Sequence, residues 1–210
     1  MRVLLISAFI AVMHCQIACA RGKTAETMDV DALYTKGTRH LNSGANAEAL
    51  AAFDLAVASG SGGGKTQGFL HVNRGLTLAR LGRPHEAIAE YEGVLRLQPA
   101  HIYALYNNGL SLRRIGRFSE AIQRFQQALQ VQPNHADARH DLCALQFELR
   151  GSDDVLTSAV RRRLNDALHN CDQCLSLQPQ HQLAHVTRGL VLNALQVPPL
   201  LTLSNVLIDL

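Results

Sequence analysis

Glu86-Ala87-Ile88, followed by Leu97-Gln98-Pro99, is the stretch that decides the fold, because the chain repeats it. It returns 34 residues later, beginning at Glu120 and ending at Pro133. The copies share an acidic residue, an alanine and an aliphatic residue, and they begin at Glu48, Glu86, Glu120 and Asp166. A period of about 34 residues with this spacing is typical of stacked pairs of helices. The sequence therefore predicts an all-α solenoid.

A second series of small residues recurs with the same period. Its members are Gly37, Gly75, Gly109, Cys143 and Gly189, at separations of 38, 34, 34 and 46 residues. Relative to a period of 34, the first interval holds four extra residues and the last holds twelve. The acidic-alanine series gives the same insertions, so two independent patterns agree on where the array is interrupted.

These residues resemble the tetratricopeptide repeat (TPR) family. In that family a small residue at the eighth place and an alanine at the twentieth let two antiparallel helices approach closely. An aromatic residue at the twenty-fourth place and a proline at the thirty-second complete the unit, and here those places hold Gly109, Ala121, Phe125 and Pro133. The resemblance implies a right-handed superhelix of about four full repeats and one leading helix. Gly82 and Gly116 fall at the turns inside two repeats, where a left-handed backbone is needed.

The repeats divide the chain into an array and two flanking segments. We predict repeats near 30–63, 68–101, 102–135 and 136–181, and a partial repeat at 182–195. The glycine-rich stretch 59–64 reads as a flexible linker. It ends in Gly64-Lys65-Thr66 like a phosphate-binding loop, but the loop motif needs a glycine where Ser59 stands and a preceding strand.

The twelve-residue insertion and the end of the array break the pattern. Apolar residues recur from Leu156 to Cys171, so we predict one long helix from about Asp153 to Leu177. The helix at 182–195 is apolar and lacks the polar outer face of a terminal repeat. The tail, 196–210, is also apolar and is predicted to fold back over the open end. The alternative is an array that continues beyond this chain.

The first twenty residues have the pattern of a secretory signal peptide. Arg2 precedes an apolar run from Val3 to Met13, and Ala18-Cys19-Ala20 supplies small residues for cleavage. The run is too short to span a bilayer. We therefore expect export, to a secreted or periplasmic location, with no membrane span in the mature chain.

The mature chain would keep three cysteines, Cys143, Cys171 and Cys174. All three occupy repeat places that face the core, so we interpret them as small apolar packing residues. A disulfide from Cys143 to Cys171 or to Cys174 is the alternative. Their spacing gives little support to redox catalysis or to zinc, which needs a fourth ligand.

Composition and motifs argue against several functions. A net charge of +3, with Arg161-Arg162-Arg163 as the one short basic run, does not suggest nucleic-acid binding. The ten histidines show no paired metal-binding spacing, and no nucleophile motif occurs. We expect no catalytic activity, no cofactor and no metal.

TPR proteins line a concave groove with fixed places of each first helix. Carried over by place, the predicted partner-binding groove holds Tyr34, Asn73, Arg80, Tyr103, Tyr106, Asn107, Arg113, Arg114, His140 and Asp141, and Thr35 and Phe69 occupy further such places. Tyrosine and arginine often dominate interface energies. Asparagine can hold a peptide backbone through both its donor and its acceptor. The lysines of the chaperone-binding carboxylate clamp are missing from their places, so that clamp is not predicted.

The resemblance implies a non-enzymatic adaptor that binds a peptide segment of another protein after export. The arginines would favour an acidic partner. One alternative is a secretory-pathway or periplasmic co-chaperone that holds unfolded clients. Another is the truncated repeat region of a larger enzyme, such as a glycosyltransferase.

Overall fold

The computed structural model describes residues 29–59, 64–150 and 156–196, and these residues form nine α-helices and no strand. The helices are α1 (Val30–Asn42), α2 (Asn46–Ser59), α3 (Gly64–Arg80), α4 (Pro84–Leu97), α5 (Ile102–Arg114), α6 (Phe118–Val131), α7 (Ala136–Glu148), α8 (Ser158–Leu177) and α9 (Gln182–Gln196). The predicted all-α repeat array is therefore confirmed. The chain divides into two compact units, residues 1–70 and 71–210.

Unit 1 contains one antiparallel helix pair, α1 and α2, which pack together. Asp29 caps α1 by accepting a hydrogen bond from the Asp31 amide at 3.0 Å. Gly37 lies directly against the fully buried Phe53 ring, and a Cβ added to this glycine would lie 2.5 Å from a ring carbon. The pair is thus closed by the glycine-aromatic contact that the repeat pattern predicts.

Unit 2 stacks its helices in chain order, so that each packs on the next. Contacts join α4 with α5, α5 with α6, α6 with α7, α7 with α8, and α8 with α9, and α7 also touches α9. A Cβ at Gly75 would lie 2.6 Å from Tyr91, and one at Gly109 would lie 2.6 Å from Phe125. The two repeats therefore reproduce the contact seen in unit 1.

The turns inside the repeats use the predicted left-handed glycines. Gly82 has φ of 78° and Gly116 has φ of 79°. Their amides bond back to Ala79 and Arg113, and the following amides of Arg83 and Arg117 bond to carbonyls of the same helices. A side chain at either glycine would strain this geometry, which explains the residue type.

A disulfide replaces the glycine-aromatic contact in the fourth repeat. Cys143 stands at the glycine's place and Cys171 at the aromatic's, and the two are bonded with Cα atoms 5.6 Å apart. Cys174 remains a free, buried thiol. The preferred interpretation of all three thiols as unbonded packing residues was therefore wrong for two of them. A glycine and a ring fill the same gap that two sulfur atoms bridge here.

Three histidines cap the first helices of successive repeats, a role that the sequence analysis missed. Nδ1 of His101 accepts from the Ala104 amide at 3.3 Å, Nδ1 of His135 from Ala138 at 3.2 Å, and Nδ1 of His181 from Ala184 at 3.1 Å. Each histidine ends the same tetrapeptide, Gln-Pro-x-His. That repeated tetrapeptide was the available signal.

Two predictions about the C-terminal half need correction. Helix α8 begins at Ser158 with Thr157 as its cap, because the Thr157 hydroxyl satisfies the Val160 amide, so the helix starts later than the predicted Asp153. Helix α9 exposes Gln182, His185 and Asn193 as well as apolar residues, so its outer side is partly polar. The predicted signal peptide, the centre of the linker, residues 151–155 and the predicted fold-back of 197–210 lie outside the described residues.

The linker prediction is also refined at its end. Helix α3 begins at Gly64, so Lys65 and Thr66 are helical and the repeat starts before the predicted residue 68. Helix α2, and not a strand, precedes this segment. The phosphate-loop resemblance therefore lacks its strand, as the sequence analysis indicates.

Candidate functional site

The predicted groove residues of unit 2 lie on its first helices, α3, α5 and α7, and the same places continue on α9. Asn73 and Arg80 are on α3, five predicted residues are on α5, and His140 and Asp141 are on α7. Tyr34 lies on α1 in unit 1, half-buried, with its ring centroid 6.2 Å from that of Phe53. It is therefore described apart from the others.

Contacts between successive repeats bring these places into one row. The Tyr106 hydroxyl donates to Asp141 Oδ2 at 2.7 Å, and Arg114 Nη1 donates to the Ala79 carbonyl at 2.7 Å. In each pair the two residues are 35 positions apart in the sequence, which is the repeat period plus one. His140 Nε2 and Thr187 Oγ1 are 3.5 Å apart across 47 residues, the lengthened period plus one. The insertion therefore leaves the register of this face intact from α5 to α9.

The charged groove residues are paired with one another. Arg113 contacts Asp141 at 3.5 Å and bonds to Glu148 through its other terminal nitrogen. Arg114 is bonded to the carbonyl end of α3. Arg113 and Arg114 are thus held by the protein itself, in contrast to the expectation that they stand ready for acidic side chains. Whether Arg113 and Asp141 also contact a partner stays a prediction.

Burial shifts the pKa values at the centre of this network. Burial raises the pKa of Asp141 above its ordinary value, and the Tyr106 hydroxyl and the positive charge of Arg113 only partly oppose this. The pKa of Tyr106 is raised by burial and by the negative charge of Asp141. Tyr106 therefore acts as a neutral hydrogen-bond donor. Its ring also packs 4.8 Å from the ring of the capping His135.

His140 sits in a second polar cluster between α7 and α9. Its ring centroid is 4.8 Å from that of His181, and its Nδ1 is 3.7 Å from Asp141. Asp137 lies 3.7 Å from Nε2 of His181. Burial lowers the pKa of His140. Within the described ranges, no three histidine, cysteine or acidic side chains gather closely enough to hold a metal ion.

The more accessible groove residues surround these clusters. The Tyr103 side chain is 54% exposed, Arg80 is exposed, and Asn73 and Asn107 are half-buried. Tyr103 and Asn107 are four residues apart on α5, so they share one side of the helix. Tyr103 is exposed and Asn107 partly so, and both are therefore accessible to a partner on α5.

Three apolar residues of α9 belong to the same row, and the sequence analysis missed them. Leu183, Val186 and Leu190 are 63%, 60% and 49% exposed. They occupy the second, fifth and ninth places of the partial repeat formed by α9, and these places line the groove in the other repeats. Counting the same places in this partial repeat would have identified them from the sequence. We call these three residues the apolar stripe.

The comparisons with known proteins agree with this architecture. A sequence model described as the tetratricopeptide repeat matches residues 66–134. YrrB, a TPR protein whose crystal structure is described as having an unusual peptide-binding site, is similar with a TM-score of 0.61 and 21% identity over 88% of this chain and 87% of its own. No sequence among the curated proteins matches.

Two further solved structures share the fold. MamA from Desulfovibrio magneticus RS-1 has a TM-score of 0.62 at 21% identity, covering 77% of this chain and 82% of its own. The first TPR of Spaghetti (RPAP3), solved with an HSP90 peptide, has a TM-score of 0.55 at 17% identity, covering 63% and 95%.

The described helices therefore have the TPR solenoid fold, and residues 66–134 match the sequence pattern of the tetratricopeptide repeat. At these identities the structural likeness concerns the fold alone. Among the described helices, none combines the length and apolar character that a membrane span requires.

Proposed function

We propose that this protein is a non-enzymatic TPR adaptor that binds a peptide segment of another protein along the row of groove places. The observation that carries the proposal is the register of that row. Contacts from Arg114 to Ala79, from Tyr106 to Asp141 and from His140 to Thr187 align the first helices, so their accessible side chains form one continuous surface. The peptide-bound TPR relative with its HSP90 peptide supports this type of function.

The internal pairing changes the expected chemistry of the partner. Because Arg113 is neutralised by Asp141 and Glu148, a strongly acidic segment gains less there than the sequence suggests. Tyr103 offers aromatic contact area, and Asn107 offers a donor and an acceptor to a peptide backbone. We therefore expect an extended segment with apolar or aromatic side chains, and we retain an acidic segment as the competing prediction.

A peptide array probed with the full chain tests this function. The tightest peptides are then measured in solution by fluorescence anisotropy against a Tyr103→Ala, Asn107→Ala variant. Gln126→Ala with Gln130→Ala, two exposed residues on the second helix α6, is the matched control. We expect at least a tenfold loss of affinity in the groove variant and no loss in the control. Equal binding by all three proteins would refute the groove assignment.

The peptide array also distinguishes the adaptor from the alternative, a co-chaperone. The exposed apolar stripe is the observation that favours a co-chaperone. An adaptor binds a narrow group of related sequences. A co-chaperone that holds unfolded clients binds most apolar peptides, and it loses this binding when Val186 in the stripe becomes charged. Parallel acidic and neutral versions of each bound peptide decide whether negative charge contributes.

We also propose that the protein acts after export through an oxidising compartment. The pattern of residues 1–20 supports this, and so does the Cys143–Cys171 disulfide, because such bonds persist in oxidising environments. Intact-mass measurement of the protein from its native cells tests it. We expect a chain that begins near Arg21 with one disulfide, whereas an uncleaved, fully reduced chain would refute export.

A further inference from the structure

The second residues of three successive repeats form a line of exposed side chains along one rim of the groove. Tyr103 on α5 and Leu183 on α9 are exposed, and the Asp137 side chain on α7 is 59% exposed. Tyr103 and Asp137 are separated by the period of 34 residues, and Asp137 and Leu183 by the lengthened period of 46. These three residues therefore hold equivalent positions, and we call them the rim row.

The rim row has a regular spacing, because neighbouring first helices lie within side-chain reach of each other. Tyr106 of α5 bonds to Asp141 of α7, and His140 of α7 contacts Thr187 of α9. Helices packed in this way have axes about 8–10 Å apart. An extended peptide advances about 3.3 Å per residue, so about three of its residues cover the step from one position of the row to the next.

The Asp137 carboxylate presents an uncompensated negative charge in the middle of the row. Its ion-pair partner within the described ranges is His181, whose Nε2 lies 3.7 Å from the carboxylate. Nδ1 of His181 accepts a hydrogen bond from the Ala184 amide at 3.1 Å, so this nitrogen carries no proton and the capping ring is neutral. Asp137 also lies in the first turn of α7, where the helix dipole stabilises a carboxylate as an anion.

The neighbouring arginines do not neutralise this charge. Arg139, two positions beyond Asp137, bonds to a carbonyl of the preceding loop and to the Gln173 side chain. Arg113 and Arg114 lie at the opposite end of α5, about 15 Å along that helix from the row. An acidic side chain at the row therefore meets another carboxylate, whereas a basic side chain meets an opposite charge.

We propose that the partner's segment carries a basic residue between two apolar residues, each three positions away, so that the basic residue pairs with Asp137 while the apolar residues contact Tyr103 and Leu183. Val186, three residues after Leu183 and also exposed, enlarges the apolar contact on α9. This inference rests on the proposed adaptor function and names the chemistry of its partner. The motif is the same in both chain directions, so it holds for either orientation of the peptide.

Three fluorescein-labelled synthetic peptides test the motif against the full chain by fluorescence anisotropy. The first contains Phe-Ser-Gly-Arg-Ser-Gly-Leu, the second has the same composition in the order Arg-Ser-Gly-Phe-Ser-Gly-Leu, and the third replaces the arginine of the first with glutamate. We expect the second and third peptides to bind about tenfold more weakly than the first, because the second places an aromatic ring at the carboxylate and the third places a like charge there.

Substitutions at Asp137 assign the effect to this carboxylate. Asp137→Asn should weaken binding of the first peptide about threefold, as expected for one accessible ion pair. Asp137→Arg should reverse the preference, so that the glutamate peptide binds more tightly than the arginine peptide. Asp166→Asn removes an exposed carboxylate from the second helix α8 and is the matched control, with affinities equal to those of the wild-type chain.

The outcomes separate this inference from the adaptor function. Suppose that array peptides bind through Tyr103 and Asn107, but the three designed peptides bind equally or not at all, or Asp137→Arg keeps the arginine preference. The motif is then wrong and the adaptor function stands. An equal loss in Asp137→Asn and Asp166→Asn indicates an effect of net charge and also overturns the motif. If the Tyr103→Ala, Asn107→Ala variant binds every peptide as tightly as the wild-type chain, both proposals are wrong.

Discussion

Protonation of the capping His101 should weaken the array as the pH falls from about 7.5 to 5, around the ordinary histidine pKa of about 6.5. His101, His135 and His181 each accept a backbone hydrogen bond through Nδ1. A protonated ring has no acceptor, and its positive charge is unfavourable beside a helix N-terminus. Burial also lowers the pKa of His101. The unfolded chain then binds more protons than the folded one, so this contribution to stability is present above the unfolded pKa and lost below it.

The magnitude follows from the cap. Loss of one N-cap costs about 1 kcal/mol of the free energy of unfolding. The Tyr103 ring faces His101, with the two ring centroids 6.2 Å apart. We therefore expect acidification to remove about 1 kcal/mol of stability through His101.

The assay is urea denaturation at pH 7.5 and at pH 5, comparing the wild-type chain with His101→Asn. Asparagine caps a helix in the same way at both pH values. The variant should lose about 1 kcal/mol less than the wild-type chain on acidification, equivalent to about 2–4 °C in Tm. His169→Asn, at an exposed position of α8, is the control and should follow the wild-type chain. Equal acid sensitivity of the His101→Asn variant and the wild-type chain would falsify the reasoning.

Three further perturbations address packing. Reduction should lower the free energy of unfolding of the wild-type chain by about 3–4 kcal/mol, because the bonded cysteines are 28 residues apart. The Cys143→Gly, Cys171→Phe variant restores a glycine-aromatic pair, so its stability should not change with reductant. Equal sensitivity of the two proteins to reductant in urea denaturation would contradict this. Gly109→Ala should cost about 1–3 kcal/mol because its Cβ would lie 2.6 Å from a buried ring. At Gly189 an added Cβ would meet no atom within 4 Å, so Gly189→Ala should stabilise α9 by up to about 1 kcal/mol. Thermal denaturation measures both glycine variants, and an equal loss of stability in the two would contradict this difference in packing. Asn108→Leu should raise stability by about 1–3 kcal/mol, because neither amide atom of this fully buried side chain has a partner within the described ranges, and a lowered Tm would show that the amide is satisfied.

The 34-residue period and the series of small residues correctly predicted the helix pairs and their tight contacts, because these features depend on residues that are close in the sequence. The glycines Gly82 and Gly116, and the prolines that follow α4, α6 and α8, act on the nearby backbone, so each marks the same local turn wherever it recurs. The place rule likewise put Tyr106 and Asp141 on the same surface. It could not show that the two bond to each other, because they are 35 residues apart and belong to different repeats.

The histidine caps and the start of α8 were missed for a different reason. Histidine is not among the usual capping residues, so the repeated Gln-Pro-x-His tetrapeptide was not interpreted as a capping signal. At the insertion, the apolar pattern continued through Leu156 and hid the Thr157 cap at which α8 begins.

By itself, the sequence predicted a TPR-type helical array, the approximate position of its repeats, and the row of first-helix places to which Tyr106 and Asp141 belong. These properties follow from short-range spacing, which is written in the order of residues. Only the tertiary structure decided that Cys143 bonds to Cys171, that Arg113 is neutralised by carboxylates and Arg114 is bonded to a backbone carbonyl, and that Leu183, Val186 and Leu190 remain exposed. Those properties depend on distances between residues of different helices, and a spacing along the chain does not fix such distances.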